Sequence, residues 1–197
     1  MVVADPIQVA LRVADALESC GIAYVVGGSV ASSITGEPRS TLDVDLAVAM
    51  TEQQVEPFVR ELGDEFYAER DSLLRAIREK TSANLIHEET SIKVDLFISG
   101  RTPLDAQQME RRERVLVMAD PKRYLYVYTA EDILLQKLRW YRDGGEVSDQ
   151  QWRDVLGILR VQGELIDPTY LRRGASILGV SDLLERALDQ MGDNPIS

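Results

Sequence analysis

Cysteine and histidine occur once each in these 197 residues, as Cys20 and His87. A single cysteine excludes an internal disulfide framework. Cys20 closes a predicted helix with no activating neighbour and reads as a small buried hydrophobe. His87 precedes Glu88 and Glu89 at the end of a predicted strand and reads as a turn residue rather than a metal ligand. No stretch approaches the roughly 18 to 20 unbroken apolar residues of a membrane span. Residues Met1 to Pro6 lack the basic, apolar and cleavage-site order of a signal peptide. The expectation is a soluble, cytoplasmic protein with no membrane partner.

Basic residues are also scarce, with 22 Lys and Arg against 33 Asp and Glu, a formal net charge of -11. A chain of that charge repels phosphate backbones at long range, which argues against an extended nucleic-acid footprint. The densest basic cluster is Arg111, Arg112, Arg114, Lys122 and Arg123, interleaved with Glu110, Glu113 and Asp120. It reads either as a solvated mixed-charge face or as a surface for an anionic partner.

What is present is enough apolar residue, 45% of the chain, to build a core without disulfides. Ile7, Ala10, Leu11, Ala14 and Leu17 recur at helical spacing and predict a helix over 6–20, with Pro6 at its start and Gly21 past its end. The compact apolar run Ile22 to Val26, with its β-branched bias, predicts a buried strand, followed by a brief helix over 30–34. Leu42, Val44, Leu46 and Val48 alternate with Asp43, Asp45 and Ala47, and Ile92, Val94, Leu96 and Ile98 alternate with Lys93, Asp95 and Phe97. Period two makes both segments strands with the aspartates on one face. Thr51 to Gln54 is a capping box opening a helix to about Leu62. Weaker patterns predict a helix over 72–78, a strand over 84–87, a polar helix after Pro103, and strands over 115–118 and 125–128.

After Tyr128 the pattern becomes wholly helical, with starts at Thr129, at Ser148 or Asp149, at Pro168 and at Ser181. The fold class read from this is α/β (α+β). A mixed sheet flanked by helices occupies residues 1–128 and a helical lobe residues 129–197.

One ordered constellation carries chemistry: Gly27-Gly28-Ser29, then Asp43-Val44-Asp45, then Asp95. Three carboxylates converging in a half-buried cleft repel unless a cation neutralises them, and Mg²⁺ prefers carboxylate oxygen. Such sites commonly hold two ions about 3.5 to 4 Å apart that clamp the attacking and leaving oxygens of a phosphoryl displacement. The glycine turn lets the backbone approach a ligand closely, and the helix after it offers unpaired amides to a triphosphate. Arg39, just before the aspartate strand, could reach the same phosphates bidentately.

In this order and spacing, Gly27-Gly28-Ser29, Asp43-Val44-Asp45-Leu46 and Lys93-Val94-Asp95-Leu96 resemble the three motifs of the polymerase-beta-like nucleotidyltransferase superfamily. The stretch Gly27 to Leu46 is most similar to the AbiEii/AbiGii-type group of small bacterial nucleotidyltransferases. The resemblance implies a Mg²⁺-dependent enzyme moving NMP from an NTP to an acceptor hydroxyl of transfer RNA, a protein or a small molecule. Asp43 and Asp45 would ligate both ions; Asp95 would ligate the catalytic ion and help deprotonate the hydroxyl. Ser29 would touch phosphate.

In the helical lobe, the resemblance assigns Lys137 to the nucleotide phosphates and matches Arg153-Asp154-Val155 to the next helix, adding Asp154 to the nucleotide-binding set. Read from its neighbours Leu134, Leu138 and Tyr141 alone, Lys137 instead snorkels from an apolar face. A histidine common in the group near Thr35-Gly36 is missing here. A nucleotide-binding regulatory or toxin–antitoxin component with little turnover, held by a cognate antitoxin, is the alternative to the enzyme.

Overall fold

The computed structural model describes residues 5–35 and 43–192. They divide into two compact units: 5–30 with 43–128, and 31–35 with 129–192.

The first unit is built on a seven-stranded mixed sheet. Its strands are β1 (Ala23–Val26), β2 (Asp43–Ala49), β3 (Phe66–Ala68), β4 (Ser82–His87), β5 (Lys93–Ile98), β6 (Glu113–Ala119) and β7 (Lys122–Val127), in the order β3-β4-β5-β2-β1-β7-β6. β2 runs parallel to β5 and β1 parallel to β7, while the remaining neighbours are antiparallel. β6 is a free edge, and a bulge interrupts its ladder with β7 between Leu116 and Met118.

The helices of this unit form where the sequence offers caps. In α1 (Pro6–Ser19), the Asp5 carboxylate accepts from the Ile7 amide, and proline occupies the first turn. α3 (Glu52–Leu62) opens on the Thr51/Gln54 capping box, α4 spans Arg70–Glu79, and α5 (Pro103–Arg111) opens on a second box, Thr102 with Asp105. α1 packs on β1, β2 and β7, and α4 on β4 and β5. The alternating residues Val44, Leu46, Val48, Val94 and Leu96 are completely buried in this core.

α2 (Gly28–Thr35) starts two residues earlier than the sequence pattern suggested, so Ser29 lies in its first turn. β3 was not anticipated at all; three residues are too few to show a period. Arg39 and Leu42 fall outside the described residues, and β2 begins at Asp43. His87 ends β4, its Nδ1 2.8 Å from the Thr90 hydroxyl within a tight turn.

The second unit contains α6 (Ala130–Asp143), α7 (Asp149–Gln162), α8 (Pro168–Leu178) and α9 (Ser181–Gly192). α6 packs on α7 and α8, and α9 on both of those. α8 approaches α6 closely at Gly174, where a Cβ would fall 2.4 Å from Leu135 Cδ1. The unit buries charge as well as hydrocarbon. Asp132, fully buried in the first turn of α6, accepts from the Tyr170 hydroxyl at 2.7 Å and from the Thr129 hydroxyl at 3.2 Å. Among the described residues, no helix is long and apolar enough to cross a membrane.

The Tyr170 hydroxyl donates to a charged, buried acceptor, so Tyr170→Phe removes a bond worth about 1.5 to 3 kcal/mol. Urea denaturation should show the midpoint falling by that equivalent with an unchanged slope.

Candidate active site

The register of β2 on β5 places Asp45 beside Asp95 and Asp43 beside Lys93. Adjacent residues on parallel strands share a face, so Asp43, Asp45, Lys93 and Asp95 project together, away from the buried valines and leucines between them. Asp43 is exposed, and Asp45 and Asp95 are partly buried. Asn84 of β4 is the register partner of Asp95 on its other side.

The glycine turn reaches the same place. The Gly27 amide donates to the Asp45 carbonyl at 2.9 Å, extending the sheet to the start of α2. Gly28 has φ +56, and a Cβ on it would fall 1.7 Å from Asp45 Oδ2. Glycine is required here twice over, by the left-handed backbone and by the carboxylate packed against its Cα. Asp45 thus stands at the first turn of α2, where the helix dipole favours negative charge. Gly27 is confined more mildly; a Cβ there would lie 3.2 Å from the Tyr128 ring.

Lys93, at the start of the third motif, joins this face without a role implied by the motif. Its Nζ lies 2.9 Å from Asp95 Oδ2, with the lysine side chain 46% exposed and the aspartate 17%. The hydrogen bond to Asp95 holds the ammonium pKa above its ordinary value, and the charges of Asp95, Asp43 and Asp45 act in the same direction. All three carboxylates therefore act on one point, and a cation stands there. The period-two pattern that put Asp95 on this face put Lys93 there too, so the signal was available. Asn84 was not legible, because its place depends on the pairing of β4 with β5.

Among the described residues, no three His, Cys, Asp or Glu side chains are gathered tightly enough to hold a metal ion. The donor chemistry nonetheless suits a hard divalent cation, and the Lys93 ammonium shows that positive charge is accommodated among these carboxylates.

In the second unit, Lys137 on α6 and Asp154 on α7 bond to one another, Nζ to Oδ2 at 2.7 Å, with side chains only 3% and 10% exposed. Lys137 Nζ also lies 5.9 Å from the centroid of Trp140. Tyr141 and Trp152 pack ring to ring at 5.1 Å, and Tyr141 is buried. The predicted site residues thus fall into two constellations, one in each unit. Arg39 belongs to neither, lying outside the described residues.

No family model matches the sequence. No curated protein matches it either. Solved structures do match the fold. The solution structure of the antibiotic-resistance factor ANT(2'')-Ia aligns with a TM-score of 0.53 at 14% identity, covering 96% of this chain and 97% of that one. The same factor in complex with adenylyl-2''-tobramycin aligns at 0.54 and 14% identity, covering 87% and 95%. An antigenic nucleotidyltransferase-like protein from Paracoccidioides brasiliensis aligns at 0.52 and 15% identity, covering 93% and 92%. The chain therefore has the fold of nucleotidyltransferases, a mixed sheet flanked by helices followed by a helical segment, as the motif resemblance implied.

The contact at Gly28 makes a prediction specific to one methyl group. Gly28→Ala must displace the Asp45 carboxylate and adopt a strained backbone, at a cost of about 1 to 3 kcal/mol. Gly27→Ala should cost less, and chemical denaturation of the two variants side by side reads the difference.

Proposed function

We propose that the protein is a nucleotidyltransferase that moves NMP from an NTP to an acceptor hydroxyl with release of pyrophosphate. The observation that carries this reading is the face shared by Asp43, Asp45 and Asp95, with the Gly28 turn packed against Asp45. Its support from outside is the fold shared with ANT(2'')-Ia and the nucleotidyltransferase-like protein.

In this reading Asp43, Asp45 and Asp95 hold Mg²⁺, two ions in all. Such ions, when bound, supply Lewis-acid charge at the phosphoryl oxygens and stabilise the departing pyrophosphate. The chain does the rest. The turn Gly27-Gly28 lets the triphosphate approach the backbone closely, and the dipole of α2 and the Ser29 hydroxyl orient it. Asp95 takes the proton of the acceptor hydroxyl as its oxygen attacks the α-phosphorus. The bond from that phosphorus to the bridging oxygen breaks, and pyrophosphate leaves with the electron pair. Arg39 is assigned to the phosphates by its place in the sequence. The role of Lys137 toward phosphate, with Asp154, rests on the motif resemblance, while its ammonium is engaged by Asp154.

The acceptor is a hydroxyl of a small molecule, a protein or a transfer RNA end. The net charge of -11 favours an acceptor with a small anionic footprint. The AbiEii/AbiGii-like stretch supports membership of that bacterial group, with a cognate antitoxin as partner and the cytoplasm as location. One observation favours the alternative of a nucleotide-binding component with little turnover: Asp95, the base of the reaction, is already bonded to Lys93.

Incubation with α-³²P-labelled NTPs, Mg²⁺ and a cell extract should label one fraction, and Asp43→Asn with Asp45→Asn should abolish the label. Undiminished labelling by the double variant removes the assignment. Nucleotide binding by calorimetry without pyrophosphate release supports the alternative. Lys93→Gln removes a cation from the ion site and should tighten Mn²⁺ binding about tenfold by titration calorimetry. Unchanged Mn²⁺ affinity means that lysine and metal do not compete.

A further inference from the structure

Away from the aspartate face, the first unit has a polar cavity of about 270 Å³ between α1 and the β6–β7 hairpin. Its basic residues are Arg114, Lys122 and Arg123, and its acids are Asp15 and Glu18. The bonding separates these charges into two kinds. Asp15 is consumed by Arg123, whose Nη2 lies 2.6 and 2.7 Å from its two carboxylate oxygens. Glu18 accepts from the Tyr24 hydroxyl at 3.1 Å, and burial pushes the Tyr24 phenol pKa up, so the phenol stays a donor.

Arg114 and Lys122 have no acidic partner among the described residues, although Glu113 and Asp120 are close in sequence. Exposed Arg70, Arg78 and Arg172, by contrast, are each matched to a carboxylate.

Arg114 is also held in place. Its guanidinium lies 4.0 Å from the centroid of the Tyr124 ring, and on the same face of the hairpin Arg112 lies 4.6 Å from that of Tyr126. Stacking fixes the plane of a guanidinium while leaving its N–H edge for a planar or tetrahedral oxyanion. A pre-oriented fork, a mobile ammonium and the Tyr124 and Tyr126 side chains in one polar cavity match a phosphate group better than a carboxylate. A phosphate offers more oxygens and more charge.

We propose that this cavity is a phosphate-binding site, with Arg114 and Lys122 as its charged contacts. The phosphate is either free in solution or the terminal phosphate of a short nucleic-acid strand. This goes beyond the nucleotidyl-transfer reading and does not depend on it.

The test uses the full chain labelled with ¹⁵N, in EDTA so that no metal recruits phosphate to the aspartates. The probes are inorganic phosphate and a 5′-phosphorylated trinucleotide. The expected result is saturable shifts at the amides of Arg114 and of Lys122 to Tyr126. Arg114→Gln and Lys122→Gln should each weaken binding about tenfold. Arg78→Gln, at an arginine paired with Glu52, should leave it unchanged. Both probes binding with equal affinity identifies the free anion; a trinucleotide at least tenfold tighter identifies the strand. Absence of shifts at the hairpin, or equal loss in all three variants, overturns the proposal.

Discussion

Asp45 and Asp95 sit side by side on parallel strands in the ladder from Asp43/Lys93 to Val48/Ile98, where a one-residue slip would turn a buried valine outward. Like charges so placed repel, and the positive groups gathered on this face offset that repulsion. Lys93 supplies one from the same strand, two residues before Asp95. The α2 dipole supplies partial positive charge at Asp45, which is why the chain has to turn at a residue with no side chain.

The helical unit treats charge differently. Lys137 with Asp154, Asp132 with Tyr170 and Thr129, and Glu131 with the Asp167 amide are all satisfied inside the unit. Burying these groups costs solvation that only good geometry recovers, and removing one partner leaves an uncompensated charge. Residues that look like ligand contacts in a motif also serve here as internal struts between α6, α7 and α8.

Legibility followed how local the physics was. The strands bearing Asp43, Asp45 and Asp95 were evident because one buried face imposes a strict period of two. α1, α3 and α6 were evident because Asp5, the Thr51/Gln54 box and Thr129 mark their starts. The start of α2 was misplaced because a positive φ at Gly28 leaves no trace in the sequence, and β3 was missed because it owes its existence to β4. The basic cluster of 111–123 could not be sorted from the sequence. Whether Asp15 on α1 or Asp120 next door neutralises Arg123 is a question about tertiary contact, and the answer is Asp15.

The bulge in β6 has a consequence for the company the protein keeps. Leu116 is 47% exposed on an open sheet edge, the situation that ordinarily invites a second sheet to join. An incoming strand needs an unbroken row of alternating donors and acceptors, and the irregularity between Leu116 and Met118 puts that row out of step beside the exposed leucine. The opposite edge, β3, offers only three residues. One border is too irregular and the other too short to template growth of the sheet by an added strand.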